Sequence, residues 1–135
     1  MTFDRLLLAV DGSSHSRRAV PIAIELATPF HGEVFVLHAA ERIRGQAGVT
    51  TSPEAEQLVT SVVEQLHKAG VTARGEVHHV PMGHAAADIV DTAKAQGSGV
   101  IVMGSRGLSD LAGMLLGSVA HKVMHLAHAP VLIVR

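Results

Sequence analysis

Four short runs in this chain are apolar without interruption: Leu6 to Val10, Val34 to Leu37, Val100 to Met103 and Val131 to Val134. A strand with one wet face alternates apolar and polar residues, so continuous runs of this length mean strands covered on both faces. A fifth run, around Gly75 to Val80, alternates more and carries His78 and His79, which suits a sheet edge. Aromatic residues make up only 2% of the 135 residues against 47% hydrophobic, so aliphatic side chains and methionine must fill the core.

The segments between these runs have helical spacing. Ser14 to Ala27 brings Ala19, Ala23, Leu26 and Ala27 onto one face, with Ser13 or Ser14 available as N-cap. Pro21 removes one backbone bond there and predicts a kink. Pro53 to Ala69 follows Ser52 as N-cap, turns Leu58, Val62 and Leu66 inward, and stops at Gly70. His84 to Gln96 turns Ile89, Val90 and Ala93 inward before Gly97. Ser118 to about Ala127 turns Val119, Val123 and Met124 inward before Pro130. The order β-α-β-α-β-α-β-α-β predicts one open five-stranded parallel sheet with helices on both faces. Arg42 to Thr51, with Gly45 and Gly48, reads as a surface loop.

A net charge of −1 gives no reason for attraction to nucleic acid or to an anionic membrane. With no cysteine, disulfides, zinc-thiolate sites and thiol catalysis are excluded. The opening Met1-Thr2-Phe3-Asp4-Arg5 lacks the pattern of a signal peptide, and no apolar run approaches ~18 residues, so a cytoplasmic protein is expected.

Two strand ends carry unusual punctuation. The first strand runs into Asp11-Gly12-Ser13-Ser14, and the fourth into Gly104-Ser105-Arg106-Gly107, with Gly117-Ser118 further on. Ligands of open α/β sheets bind beyond the carboxyl ends of the strands, where the strand order reverses. If strands one and four are neighbours, both clusters meet at one crevice. Glycines at 104 and 107 allow close backbone approach and positive φ, and Gly117-Ser118 opens a helix whose first N–H groups make an anion site. Turn and cap roles alone would also account for these glycines.

Competing motifs are weaker. No Gly-Lys-Ser/Thr follows a glycine-rich loop, and Asp11 to Ser16 offers one glycine where a dinucleotide fingerprint needs three. The serines beside His15 suit helix capping better than nucleophilic catalysis. His121, His125 and His128 have metal-ligand spacing, yet no carboxylate neighbours them in sequence and no metal is expected there.

From residue 3 to 135 the chain resembles the universal stress protein family, through Leu6-Leu7-Leu8-Ala9-Val10-Asp11-Gly12-Ser13, Val34 to His38, Val100 to Gly107, Gly117-Ser118-Val119-Ala120 and Pro130 to Val134. The pattern G-x2-G-x9-G-[ST], which marks the ATP-binding branch of that family, is complete at Gly104, Gly107, Gly117 and Ser118. The resemblance implies a single Rossmann-like domain over residues 1–135 with strand order 3-2-1-4-5. It implies that Ala9, Val10 and Asp11 line the nucleoside side, with Ala39 and Met103 beside the base. Gly104, Arg106, Gly107, Gly117, Ser118, Val119 and Ala120 would then hold ribose and phosphates. Asp11 would contact the ribose or orient a phosphate-bound Mg²⁺, or else only cap its turn. An apolar last strand is a liability unless paired, and members of this family commonly form two-fold dimers, here through Val131, Leu132, Ile133 and Val134. The expected function is an ATP-binding regulatory protein with little or no turnover. The alternatives are a slow ATPase or phosphotransfer enzyme and a nucleotide-independent interaction module; AMP or a cyclic nucleotide is an alternative ligand.

Overall fold

A computed structural model describes residues 3–42, 52–107 and 115–135. In chain order the elements are β1 (Arg5–Ala9), α1 (Ser14–Ala27), a short 3₁₀ turn (Thr28–Phe30), β2 (Glu33–Glu41), α2 (Pro53–Lys68), β3 (Thr72–Val80), α3 (Ala85–Gln96), β4 (Val100–Gly104), α4 (Ser118–Leu126) and β5 (Val131–Val134). The five strands form one parallel sheet in the order β3-β2-β1-β4-β5. The predicted fold class and strand order are therefore those of the structure.

Because successive side chains of a strand point to opposite faces, the apolar runs divide themselves between two cores. Leu6, Leu8, Val34, Val36, Val100 and Val102 pack with α1 and α2 through Ala19, Ala23, Val62 and Leu66. Leu7, Ala9, Phe35, Leu37, Ile101 and Met103 pack with α3 and α4 through Ile89, Ala93, Ala120 and Val123. Each strand of the central three is thus buried on both sides, which is why its sequence shows no polar alternation. β3 alternates and occupies one edge; β5 occupies the other, with Leu132 exposed.

The helix ends follow their capping residues. The Ser13 hydroxyl accepts from the Ser16 N–H at 3.2 Å, and the Ser52 hydroxyl accepts from the Ala55 N–H at 3.4 Å. In α2, Pro53 stands at the start, Glu54 and Glu56 lie in the first turn, and Lys68 in the last, each sign matched to the helix dipole. Gly97 closes α3 with φ +67, a conformation that costs a side-chain-bearing residue dearly. Pro21 does not end α1, which continues past it to Ala27 with the proline ring on the exposed face.

Three expectations need correction. Met124 is 52% exposed; on the nine-residue α4 only Ala120 and Val123 are buried, so the inward stripe is narrower than the periodicity suggested. Leu26 and Leu58 lie against the core only partly buried. β2 and β3 each run for nine residues, longer than their apolar runs, because main-chain pairing from Glu33↔Thr72 to Glu41↔Val80 sustains the ladder where side-chain burial no longer does. Of the expected surface loop, residues 43–51 lie outside the described residues.

Candidate functional site

β1 and β4 are neighbours, registered from Leu6↔Val100 to Ala9↔Met103. The chain leaves β1 towards β2 on one side and leaves β4 towards β5 on the other, so the strand order reverses between them. Connections that diverge in this way leave a crevice at the carboxyl ends of the strands. A cavity of about 710 Å³ opens there.

The turn after β1 is laced by short-range hydrogen bonds. Gly12 has φ +83, and the Asp11 carboxylate accepts from the Ser13 N–H at 2.9 Å. The Asp11 N–H donates to Ser16 Oγ at 3.1 Å. Ser13 Oγ donates across the crevice floor to the Arg106 carbonyl at 3.3 Å, tying the β1–α1 turn to the segment after β4. On that side the Gly117 N–H donates to the Ser105 carbonyl, and the Ser105 N–H to the Val134 carbonyl at 2.7 Å. The start of α4 is thereby fixed beside the end of β4.

Eleven of the twelve sequence-predicted residues line this cavity. Ala9, Val10 and Asp11 come from the end of β1 and Ala39 from β2; Met103, Gly104, Arg106 and Gly107 come from β4 and its extension; Gly117, Val119 and Ala120 come from the start of α4. Ser118 is exposed on the first turn of α4 and is not part of the lining. Gly104 serves a purpose other than positive φ. A Cβ at this position would stand 2.7 Å from both His15 C and Ser16 N, so glycine is required where β4 meets the first turn of α1. Gly117 likewise has an ordinary extended backbone, φ −72 and ψ 161. It has no side chain to cap α4, and the N–H groups of Val119 and Ala120 have no intrahelical acceptor.

Sequence reasoning named only Ala39 on the opposite wall. Leu37, His38, Ala40 and Glu41 extend it along β2, and Met82, Ala85 and Ile89 close it from the α3 side. The small and polar residues that follow the apolar run of β2 were the available signal. His38 Nδ1 donates to the Val10 carbonyl at 2.7 Å, joining β2 to the turn of β1. Glu41 accepts from the Gly83 N–H and so anchors the loop that carries the exposed Met82.

Arg106 donates to His15 Nε2 from Nη2 at 3.1 Å and from Nε at 3.4 Å. Desolvation, then the charges of Arg106 and Arg18, hold the His15 pKa below its ordinary 6.5, against an opposing pull from Asp11. Ser14 Oγ is 3.5 Å from His15 Nδ1, but this imidazole is engaged by a cation rather than oriented by a carboxylate, the wrong arrangement for activating a serine. His121 and His125 stack edge to face at 4.5 Å, while His128 follows the end of α4, where Ala127 is already extended. The three histidines therefore share no helical face, and no group of three or more metal-ligating side chains occurs among the described residues.

The fold and its crevice define an open, doubly wound α/β domain. A profile described as the universal stress protein family matches residues 2–135. The chain belongs to that family. Universal stress protein YxiE of Bacillus subtilis is 34% identical over 154 aligned positions, covering 98% of this chain and 99% of the relative. Among solved structures, hypothetical protein MJ0577 superposes with a TM-score of 0.85 at 23% identity, covering 99% of this chain and 96% of its own. The Archaeoglobus fulgidus universal stress protein solved in complex with dAMP gives 0.76 at 24% identity over the whole of both chains. A universal stress protein solved in complex with cAMP gives 0.75 at 24% identity, covering 100% of this chain and 98% of its own.

Proposed function

We propose that this universal stress protein binds an adenine mononucleotide, foremost ATP with Mg²⁺, in the crevice between β1 and β4, and works in the cytoplasm as a nucleotide-responsive regulator with little or no turnover. The observation that carries the reading is the two-part construction of the crevice. Part of the lining, Ala9, Ala39, Met103 and Ile89, is apolar surface for a base. The rest includes Val119 and Ala120 on the first turn of α4 and Arg106 as donors for phosphate, with Gly104 and Gly107 allowing close backbone approach. The cavity volume lies in the usual ~300–1,000 Å³ range of small-molecule sites. The dAMP and cAMP complexes of structural neighbours support adenine as the base.

The energetics are sufficient. A helix N-terminus contributes ~0.3–1 kcal/mol to an anion and each hydrogen bond to a charged group ~1.5–3 kcal/mol; several together reach the ~8 kcal/mol of micromolar binding. Mg²⁺ keeps most of its waters and takes phosphate oxygens, so one carboxylate, Asp11, is enough to orient it. That carboxylate also caps its own turn by accepting from the Ser13 N–H, an engagement that favours binding over turnover.

The test is calorimetric titration of nucleotide-stripped protein with Mg-ATP, ADP, AMP and cAMP, beside a Gly117→Val variant whose side chain obstructs the phosphate end. Saturable binding lost in the variant is expected. ADP production that fails in Asp11→Asn would favour the slow ATPase instead, and no binding by the wild type would leave the interaction module.

A further inference from the structure

The nucleotide reading makes no use of His15. A guanidinium carries no acceptor, so its contact with His15 Nε2 is a hydrogen bond only when that nitrogen keeps its lone pair. The proton of the neutral ring then sits on Nδ1, where Ser14 Oγ stands 3.5 Å away as acceptor. Nε and one Nη form the edge with which arginine makes paired bonds to phosphate. At 3.4 and 3.1 Å, it is this edge of Arg106 that faces an uncharged imidazole. The charged groups around His15 are Arg106 from the segment after β4, Arg18 on α1 and Asp11 from the turn after β1.

We propose that His15 is a proton-controlled cap on Arg106: the neutral ring occupies the phosphate-binding edge of the guanidinium, and protonation releases that edge to a bound nucleotide. The inference rests on the nucleotide reading of the crevice given above. Protonation turns Nε2 from an acceptor into a donor, and two donors at this separation part. Arg106 itself stays at the crevice, because its carbonyl is held by Ser13 Oγ. The imidazolium adds a second positive charge beside the freed guanidinium. Both effects act in one direction, so phosphate-bearing ligands bind more tightly as pH falls through the titration of His15, and binding takes up a proton. The lowered pKa of the free protein, caused first by desolvation and then by the charges of Arg106 and Arg18, agrees with a ring that is neutral in the contact.

The probe is cAMP, whose phosphodiester keeps one charge across this range, whereas a terminal phosphate titrates near pH ~6. Calorimetry at about pH 5.5 and about pH 8, in buffers of different ionisation enthalpy, should show affinity rising on the order of tenfold towards acid, with net proton uptake. Adenosine, lacking phosphate, should bind without this change. His15 lies on the first turn of α1 outside both cores, so His15→Leu keeps the fold; its cAMP affinity should match or exceed that of wild type at about pH 8 and show no such pH dependence. The same variant separates His15 from His38, the imidazole lining the crevice, which it leaves unaltered. A wild-type cAMP affinity that does not change with pH, or a His15→Leu profile matching wild type, overturns the cap while adenosine binding keeps the nucleotide reading. Absence of binding by ATP, cAMP and adenosine alike overturns both. Independently of ligand, nitrogen NMR should find His15 protonated at Nδ1 when neutral, with a pKa that rises in Arg106→Gln; an unchanged pKa overturns the contact.

Discussion

Replacing Gly104 with alanine would add one methyl group at the point where β4 passes beneath the first turn of α1. The new Cβ would stand 2.7 Å from His15 C and Ser16 N and 2.9 Å from His15 Cβ. Carbon contacts are comfortable at ~3.5–4.0 Å, so the backbone of the turn must retreat by roughly 0.8 Å. It cannot yield as a flexible side chain would, because Ser13, Asp11 and Ser16 hold it through the hydrogen bonds at 2.9 to 3.2 Å. Overpacking of this kind costs ~1–3 kcal/mol, and the entropy that alanine removes from the unfolded chain returns ~0.4–1 kcal/mol. The net loss is about 1–2 kcal/mol. For a domain of this size that is a fall in Tm of roughly 3–10 °C. Scanning calorimetry and urea unfolding of nucleotide-free protein would measure it, the urea midpoint falling without a change in slope. Stability equal to wild type, with nucleotide binding abolished, would refute the reasoning and assign the glycine to the ligand alone.

Two further outcomes are expected. His78 hydrogen-bonds Asp88 at 2.8 Å and Glu76 at 2.7 Å; desolvation pulls its pKa down, but those bonds and charges outweigh it and leave it above 6.5. Its contribution is fully present below pH 6.5 and lost as pH rises through the raised value, so His78→Gln should flatten that part of a plot of urea midpoint against pH. The amplitude is only ~0.2–1 kcal/mol for so open a pair, and an unaltered profile in the variant would refute the assignment. His15, with a lowered pKa, acts with the opposite sign: its contribution is present above pH 6.5 and lost as pH falls, so it cancels in the comparison of wild type with the His78 variant. Finally, if β5 pairs two subunits through its open edge, Leu132→Asp should convert a dimer to a monomer in sedimentation velocity; a monomeric wild type would sink that proposal.

What the sequence reveals follows from what each signal measures. Continuous apolar runs report burial on both faces, so β1 and β4 were placed within a residue, while β2 was placed at its start and not at its end. Capping serines, Pro53 and the terminal glycines are local devices, and they located the helix ends closely. Periodicity over nine residues is a poor guide to direction, hence the misassignment of Met124. The glycine pattern named much of one crevice wall but not the cause acting at Gly104, because that cause is a helix crossing from distant sequence. The wall from His38 to Glu41 and Met82 depends on strand register and on the approach of α3, neither of which leaves a periodic trace. The His15–Arg106 contact joins residues 91 positions apart and could be seen only in three dimensions.

The position of β1 in the sheet also bears on the order of assembly. Its pairing with β2 joins Leu6 to Val34, whereas its pairing with β4 joins Leu6 to Val100. Closing the longer of these loops costs about 1 kcal/mol more in chain entropy, and parallel pairings of such separation are slow to form. The β1–β2 half can assemble before β4 arrives, but the crevice has no second wall until it does. A ligand of the crevice therefore cannot guide the early collapse of the chain. It recognises only a sheet already joined through β1 and β4, so occupancy counts completed molecules and withdraws them from unfolding.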